Sequence, residues 1–166
     1  PVLVGPSEGV ALHFTDRRND HEVEISAIIG KQGKNVIREN ALDHIAAYAI
    51  GLDMTVRGTE ERSLRKAIDS YSVLGPWLVT ADEIDDPDNL DFSIHVGEEL
   101  RQKSNTNMLI FDMRRLIEYG SEFYTLYPGD VIMTGTPEGV GPVQPGDVMH
   151  CGADKIGHMD IPVRAA

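Results

Sequence analysis

The stretch that decides the fold covers residues 20–30 and reads DHEVEISAIIG. Its β-branched residues, its period of two and the glycine at its end predict a β-strand. Alternate residues of a strand point the same way, so Glu22 and Glu24 share one face and four apolar residues fill the other. Two carboxylates on one face repel each other unless a cation lies between them, and Mg²⁺ or Ca²⁺ takes such oxygen ligands. A solvated acidic strand edge explains a lone Glu-x-Glu pair more simply, so a metal site needs a third ligand.

A second alternating stretch offers that ligand. Residues 48–57 place bulky apolar side chains at the even positions and small or polar residues between them, which predicts a strand. Asp53 lies on the small face, where its neighbours leave room beside it. A carboxylate there is either hydrogen-bonded within the protein or bound to a metal, and the sequence favours neither. Together with Glu22 and Glu24, it would complete three carboxylates, which is a common set for Mg²⁺.

Length and charge limit the class of protein. The chain has 166 residues, enough for one domain with a real core. Its net charge of -12 argues against nucleic acid or an anionic membrane as a partner. A small anionic substrate is compatible with this charge only if a metal, a lysine or an arginine supplies local positive charge. Cys151 is the single cysteine, and the sequence has neither a long apolar run nor a signal-peptide pattern, which together favour a cytoplasmic location.

Three helices are predicted between the strands. An Asn cap and an acid three residues later indicate a helix from residue 40 to residue 46 or 47. A threonine cap predicts a short helix over residues 59–69, on which Arg62 and Lys66 lie four apart and would ordinarily be solvated. Residues 109–123 have the clearest amphipathic pattern of the chain.

The C-terminal part contains a glycine-rich loop between two copies of one tetrapeptide. Residues 128–131 and 145–148 both read PGDV, which indicates a turn that leads into a strand. Between them, residues 134–141 read TGTPEGVG. Glycines allow the backbone to approach a ligand closely and threonines offer hydroxyl groups, but the Gly-Lys-Ser/Thr of a P-loop is absent. Taken alone, this composition is explained most simply by a tight structural loop.

Four motifs in order resemble those of the fumarylacetoacetate hydrolase family. They are EVE at residues 22–24, LDMTVR at 52–57, LGPW at 74–77 and PGDVIMTGTPEGVGP at 128–142. The resemblance runs from about residue 2 to the end of the chain. It is strongest to the bacterial acylpyruvate hydrolases and the 5-carboxymethyl-2-hydroxymuconate isomerases of that family.

The resemblance implies a fold, an assembly and a site. The implied fold is a mixed α/β, β-rich one, in which a single catalytic domain over residues 1–166 forms a β-sandwich roll with short flanking helices. The implied assembly is a homodimer, and the implied cofactor is Mg²⁺, with Mn²⁺ or Ca²⁺ as alternatives. The metal ligands that it implies are Glu22, Glu24 and Asp53, and the catalytic residues are Lys66, Thr136 and Arg57.

The implied substrate is a small anionic dicarbonyl compound or 2-oxo acid. The expected reaction is hydrolysis of a C–C bond in a 1,3-diketo acid, such as an acylpyruvate or fumarylpyruvate, through a metal-bound enolate, with Lys66 and Thr136 stabilising the oxyanion. Decarboxylation of oxaloacetate or a hydroxymuconate-type isomerisation would suit the same site. A non-catalytic metal-binding module is the alternative of another class, and retention of Lys66, Thr136 and Arg57 speaks against it.

Two departures from the family pattern bear on this expectation. A glutamine that is frequent three residues after the family arginine is replaced by Glu60, which is expected to change substrate preference. Many relatives also carry a His/Glu pair in an N-terminal lid. This lid precedes the point at which the present chain begins, so we expect the base that activates water to lie outside these 166 residues.

Overall fold

The computed structural model describes residues 2–166, which form three β-sheets with short helices between their strands. The strands are β1 (Leu3–Val4), β2 (Val10–Leu12), β3 (Asn19–His21), β4 (Val23–Ile29), β5 (Ile45–Asp53), β6 (Thr55–Val56), β7 (Ser72–Thr80), β8 (Asp91–Val96), β9 (Glu99–Asn105), β10 (Val131–Met133), β11 (Gly141–Pro142), β12 (Val148–Ala153) and β13 (Gly157–Ala165). The α-helices are α1 (Arg62–Lys66) and α2 (Met113–Phe123), and 3-10 turns cover Pro6–Glu8, Arg38–His44, Ala81–Glu83 and Thr106–Met108.

The first sheet has the strand order β1-β7-β5-β4-β10. It contains residues 23–29 of the strand predicted over 20–30, whereas Asp20 and His21 belong to β3 of the three-stranded sheet. Strand β4 runs antiparallel to both neighbours, β5 and β10, so it lies inside the sheet. All seven of its residues are buried. Its apolar side chains face the main core on one side and a smaller apolar cluster on the other, and its β-branched sequence suits a strand that is covered on both faces.

The other two sheets complete the molecule. A five-stranded sheet has the order β2-β13-β12-β8-β9, and a three-stranded sheet has the order β11-β3-β6. One apolar core, which includes Ile25, Ile50, Ile94 and Ile161, joins the two large sheets. This strand-rich arrangement with short helices confirms the predicted mixed, β-rich fold class. No helix among residues 2–166 is long and apolar enough to cross a membrane.

Two of the predicted helices differ from the structure. The helix predicted from residue 40 is wrong, because a 3-10 turn ends at His44 and the chain enters β5 at Ile45. There β5 pairs with β4 and β7 on its two sides, and these ladder bonds outweigh the local helix propensity of two alanines. The helix predicted over 59–69 is shortened to α1, and its N-cap is Glu61 rather than Thr59. The predicted amphipathic helix is confirmed as α2, which begins later, at Met113.

Candidate active site

Three carboxylates meet where the first sheet adjoins the three-stranded sheet. Glu22 lies at the junction of β3 and β4, Glu24 lies within β4, and Asp53 ends β5. One carboxylate oxygen of each lies within 4.8 Å of the others. The pairing of β4 with β5 causes this meeting, since Glu24 is opposite Gly51 and the amide of Asp53 donates to the carbonyl of Glu22 at 2.9 Å. The carboxylate triad, as we call these three residues, therefore follows from strand register.

Lys66 reaches the triad from the last turn of α1. Its Nζ donates to Glu22 Oε2 at 2.7 Å and also to an oxygen of Asp53. Burial lowers the pKa of Lys66, but the hydrogen bonds to Asp53 and Glu22 outweigh that effect and leave the pKa above its ordinary value. The ammonium group is therefore charged at neutral pH and neutralises part of the triad. The sequence suggested that Lys66 is solvated, but in the structure its side chain points inward to the triad.

Arg57 contacts the other side of Glu22. Its Nη2 donates to Glu22 Oε1 at 3.3 Å, and its Nε donates to Asp20 Oδ2 at 2.7 Å. The Asp20 side chain is fully buried, and its second oxygen accepts from Arg18 Nε at 2.7 Å. Burial by itself would raise the pKa of Asp20, but the two arginines hold that pKa below its ordinary value. Asp20 therefore stays ionised and orients Arg57 towards Glu22.

The third side of the triad is the glycine-rich loop. Gly135 donates its amide hydrogen to Glu24 Oε2 at 2.6 Å, and its φ of 106° lies in a region that glycine adopts readily. Burial raises the pKa of Glu24 to about 7, although the bond from Gly135 acts in the opposite direction. Burial also raises the pKa of Asp53 despite its bond to Lys66. Three crowded carboxylates thus carry more negative charge than their neighbours neutralise, and this all-oxygen donor set fits a hard divalent cation.

Thr136 is held by the strand that carries the two glutamates. Its hydroxyl donates to the carbonyl of Val23 at 2.9 Å and accepts from Gln102 Nε2 at 2.8 Å. The same Gln102 amide donates to the carbonyl of Pro137, while its oxygen accepts from the amide of Val23 and faces Nδ1 of the buried His21. In this structure Thr136 therefore fixes the loop against β4. Its direct role towards a substrate stays a prediction.

Two cavities flank the triad. The cationic cavity, of about 390 Å³, is lined by Glu22, Thr55, Arg57, Arg62, Arg65 and Lys66. The apolar cavity, of about 290 Å³, lies on the side of the glycine-rich loop. Its wall consists of Ser104, Asn105, residues 134–137 and the apolar side chains of Phe92, Met108, Leu109, Ile110, Phe111 and Leu116.

Several of these residues escaped the sequence analysis. Asp20 lies two residues before Glu22, so the alternation of the predicted strand places it on the same face as the two glutamates. This alternation could have identified it. Gln102 gave no local signal, because its partners are 34 or more residues away in sequence. Gly135 was noted only for its backbone freedom. Its amide bond to Glu24 depends on a contact across 111 residues.

Comparison with known proteins identifies the family of the chain. The sequence model described as "Fumarylacetoacetate (FAA) hydrolase C-terminal" matches residues 1–164. A maleylpyruvate hydrolase of Aquipseudomonas alcaligenes is 58% identical over 163 residues, which are 98% of this chain and 57% of that protein. A mitochondrial oxaloacetate tautomerase of Xenopus laevis is 40% identical over 174 residues, covering 97% of this chain and 54% of its own length.

A solved structure extends the match to three dimensions. The crystal structure of a maleylpyruvate hydrolase from Sphingobium sp. SYK-6, in complex with manganese(II) ion and pyruvate, superposes with a TM-score of 0.95 at 44% identity. The match covers 99% of this chain and 62% of that one. The chain thus spans a little over half the length of these relatives. It belongs to the fumarylacetoacetate hydrolase family, which confirms the resemblance of its motifs.

Proposed function

We propose that this member of the fumarylacetoacetate hydrolase family carries the metal-binding catalytic core of a hydrolase that cleaves a C–C bond in an acylpyruvate. The observation that carries the proposal is the buried carboxylate triad with Lys66 bonded to two of its members. The names of two similar proteins, both maleylpyruvate hydrolases, support the substrate class, as does the pyruvate in one of them. Pyruvate is the fragment that hydrolysis of an acylpyruvate releases.

In this proposal Glu22, Glu24 and Asp53 hold a divalent cation. We propose Mg²⁺, and the manganese in the Sphingobium protein supports an ion of this kind. When bound, the cation supplies Lewis-acid polarisation of the substrate oxygens. The amide of Gly135 keeps the Glu24 carboxylate in place, and Asp20 does the same for Arg57.

Lys66 supplies the second positive charge. Hydrolysis places negative charge on oxygen as the C–C bond breaks, while the acyl carbon gains the water oxygen and the pyruvate carbon gains a proton. A protonated lysine beside Glu22 and Asp53 is positioned to stabilise that oxyanion, and in a partly buried site its charge has a larger effect than in water. Arg57 adds a further cation on the other side of Glu22.

A second activity on the same residues is isomerisation or decarboxylation of a 2-oxo acid. The 40% identity to an oxaloacetate tautomerase favours this candidate, because it needs the same polarised oxygen and the same stabilised oxyanion without attack by water. The two activities differ in products, since only the hydrolase releases pyruvate from an acylpyruvate.

The test is an assay of the full-length protein, first stripped of metal and then supplied with Mg²⁺ or Mn²⁺. Maleylpyruvate, fumarylpyruvate, acetylpyruvate and oxaloacetate form the panel, with pyruvate release and the enol absorbance as readouts. We expect metal-dependent release of pyruvate from the acylpyruvates. Isomerisation of oxaloacetate without acylpyruvate cleavage would favour the tautomerase, and no turnover with any compound would favour the non-catalytic module.

We also propose that the protein forms a homodimer. The segment around α2 exposes an unusual number of large apolar side chains, which supports an interface with a second copy. Ile110 is 94% exposed and Met108 is 75% exposed. Light scattering at micromolar concentration should show a dimer that Ile110→Asp weakens. A monomeric wild-type protein would refute the proposal.

A further inference from the structure

The cationic cavity contains more positive charge than the triad uses. Its lining has four cationic side chains and one carboxylate, in a chain with a net charge of -12. Lys66 and Arg57 are bonded to carboxylates of the triad and to Asp20. Arg62 and Arg65, which both lie on α1, form no ion pair with a carboxylate within residues 2–166. These two guanidinium groups are available for a ligand.

Two buried polar atoms of the same cavity lack a hydrogen-bond partner in the described part of the chain. They are Nε of Arg65 and Oγ1 of Thr55, and Thr55 is only 2% exposed. A buried polar group without a partner costs free energy, so such groups usually have a ligand, a water or an ion as their partner. These two atoms have no accessible surface, so the groups that a ligand in the cavity can reach are the other guanidinium nitrogens of Arg62 and Arg65, which are suited to a carboxylate.

A nearby carboxylate does not satisfy these groups. Glu60, two residues before Arg62, is one candidate, but its two oxygens accept from Arg17 at 3.0 and 2.9 Å. The hydrogen bond from Arg17 is the main cause that holds the pKa of Glu60 below its ordinary value, and the charge of Arg65 is one of the weaker causes. Glu60, which departs from the family pattern, therefore binds Arg17 outside the cavity. Arg62 and Arg65, which line the cavity, are left without a carboxylate partner.

The cavity begins at the triad, because Glu22 belongs to both and Lys66, which lines the cavity, donates to Glu22 and Asp53. A substrate with its dicarbonyl end at the triad would place its other end among the arginines of α1. We propose that Arg62 and Arg65 bind a second carboxylate, at the far end of the acyl arm, and thereby select dianionic acylpyruvates. This inference rests on the proposed function, whose site it extends.

The kinetic test compares substrates that differ at the end of the acyl arm. Fumarylpyruvate and maleylpyruvate end in a carboxylate, whereas acetylpyruvate ends in a methyl group. We expect the double variant Arg62→Gln/Arg65→Gln of the full-length protein to lose on the order of tenfold to a hundredfold in kcat/KM for the dianionic substrates, mostly through KM. Acetylpyruvate should change by less than about threefold. Equal losses for both kinds of substrate would show a structural role and overturn the inference.

A binding measurement separates this inference from the proposed reaction. Fumarate is titrated calorimetrically into the full-length protein in the presence of EDTA, so neither metal nor turnover enters the result. We expect the wild type to bind fumarate about tenfold more tightly than the double variant, with Arg62→Lys/Arg65→Lys in between. Arg164→Gln, on β13 and in the lining of neither cavity, is the matched control and should equal the wild type. No difference between wild type and double variant overturns the inference, even if the protein cleaves acylpyruvates.

Discussion

The two cavities beside the triad differ in how their walls are made. The cationic cavity is built from α1 and the strand ends near it, and it holds four cations, one carboxylate and two buried polar atoms without partners. The apolar cavity has no charged residue in its described lining, and its outer wall includes side chains that are largely exposed, such as Ile110. The two unpaired guanidinium groups of the first cavity favour a small anionic ligand, whereas the exposed apolar side chains of the second favour a covering protein surface. We therefore propose substrate recognition for the first cavity and assembly for the second.

The largest effect should come from the triad, which contributes Glu22 to the cationic cavity and lies against Gly135 of the apolar one. Glu24→Gln keeps the shape of the side chain and an acceptor for the Gly135 amide, but it removes one negative ligand. We expect turnover to fall by about a thousandfold, because loss of Lewis-acid polarisation costs several kcal/mol of transition-state stabilisation. Mn²⁺ binding, measured by calorimetry, should weaken in parallel. An active variant with unchanged metal affinity would place the metal elsewhere.

Lys66→Ala should have the next largest effect. Because this residue is bonded to Glu22 and Asp53, we expect turnover to fall by about a hundredfold through loss of oxyanion stabilisation. Metal affinity should be unchanged or tighter, since a competing cation is removed from two ligands. Lys34→Ala is the control, because the Lys34 ammonium donates to the carbonyl of Glu122 and lines neither cavity. Unchanged turnover in Lys66→Ala would show that this residue has only a structural role.

Sequence periodicity located part of this arrangement. Alternation in two strands placed Glu22, Glu24 and Asp53 on the right faces, because the two-residue period of a strand is a local property. Lys66 could not be found in this way, since its direction depends on how α1 packs against strands far away in sequence. Gln102 was hidden for the same reason, as it reaches β4 from another sheet.

The failed helix prediction at residues 40–47 has a related cause. An Asn cap and two alanines are typical of a helix, but those alanines belong to β5, which has partners on both sides. Local propensity is worth a few tenths of a kcal/mol per residue, and a strand buried between two neighbours outweighs it. The fold class was implied by the resemblance of four motifs to the family, so one wrong helix did not alter it.

The pH dependence of the metal-free protein gives a smaller effect. The pKa of Glu24 is raised from its ordinary value of 4.5 to about 7, so the folded state binds this proton more tightly than the unfolded state. The free energy of unfolding should therefore fall as pH rises from about 4.5 to about 7, by at most roughly 3 kcal/mol from this group. Urea unfolding in EDTA at about pH 5 and about pH 8 measures the change. Glu24→Gln should lose less stability over this range, and parallel curves would contradict the assigned cause.

The smallest expected effect tests the apolar cavity directly. Leu109 lines that cavity and is only partly buried, so Leu109→Ala enlarges the cavity without touching the triad, α1 or the arginines. If the acyl arm enters the cationic cavity, kcat/KM for fumarylpyruvate and for acetylpyruvate should both change by less than about threefold, which is under 1 kcal/mol. A loss larger than that of Arg62→Gln/Arg65→Gln would reverse the assignment of the two cavities. In that case the arm enters the apolar cavity, and the guanidinium groups of Arg62 and Arg65 serve another ligand.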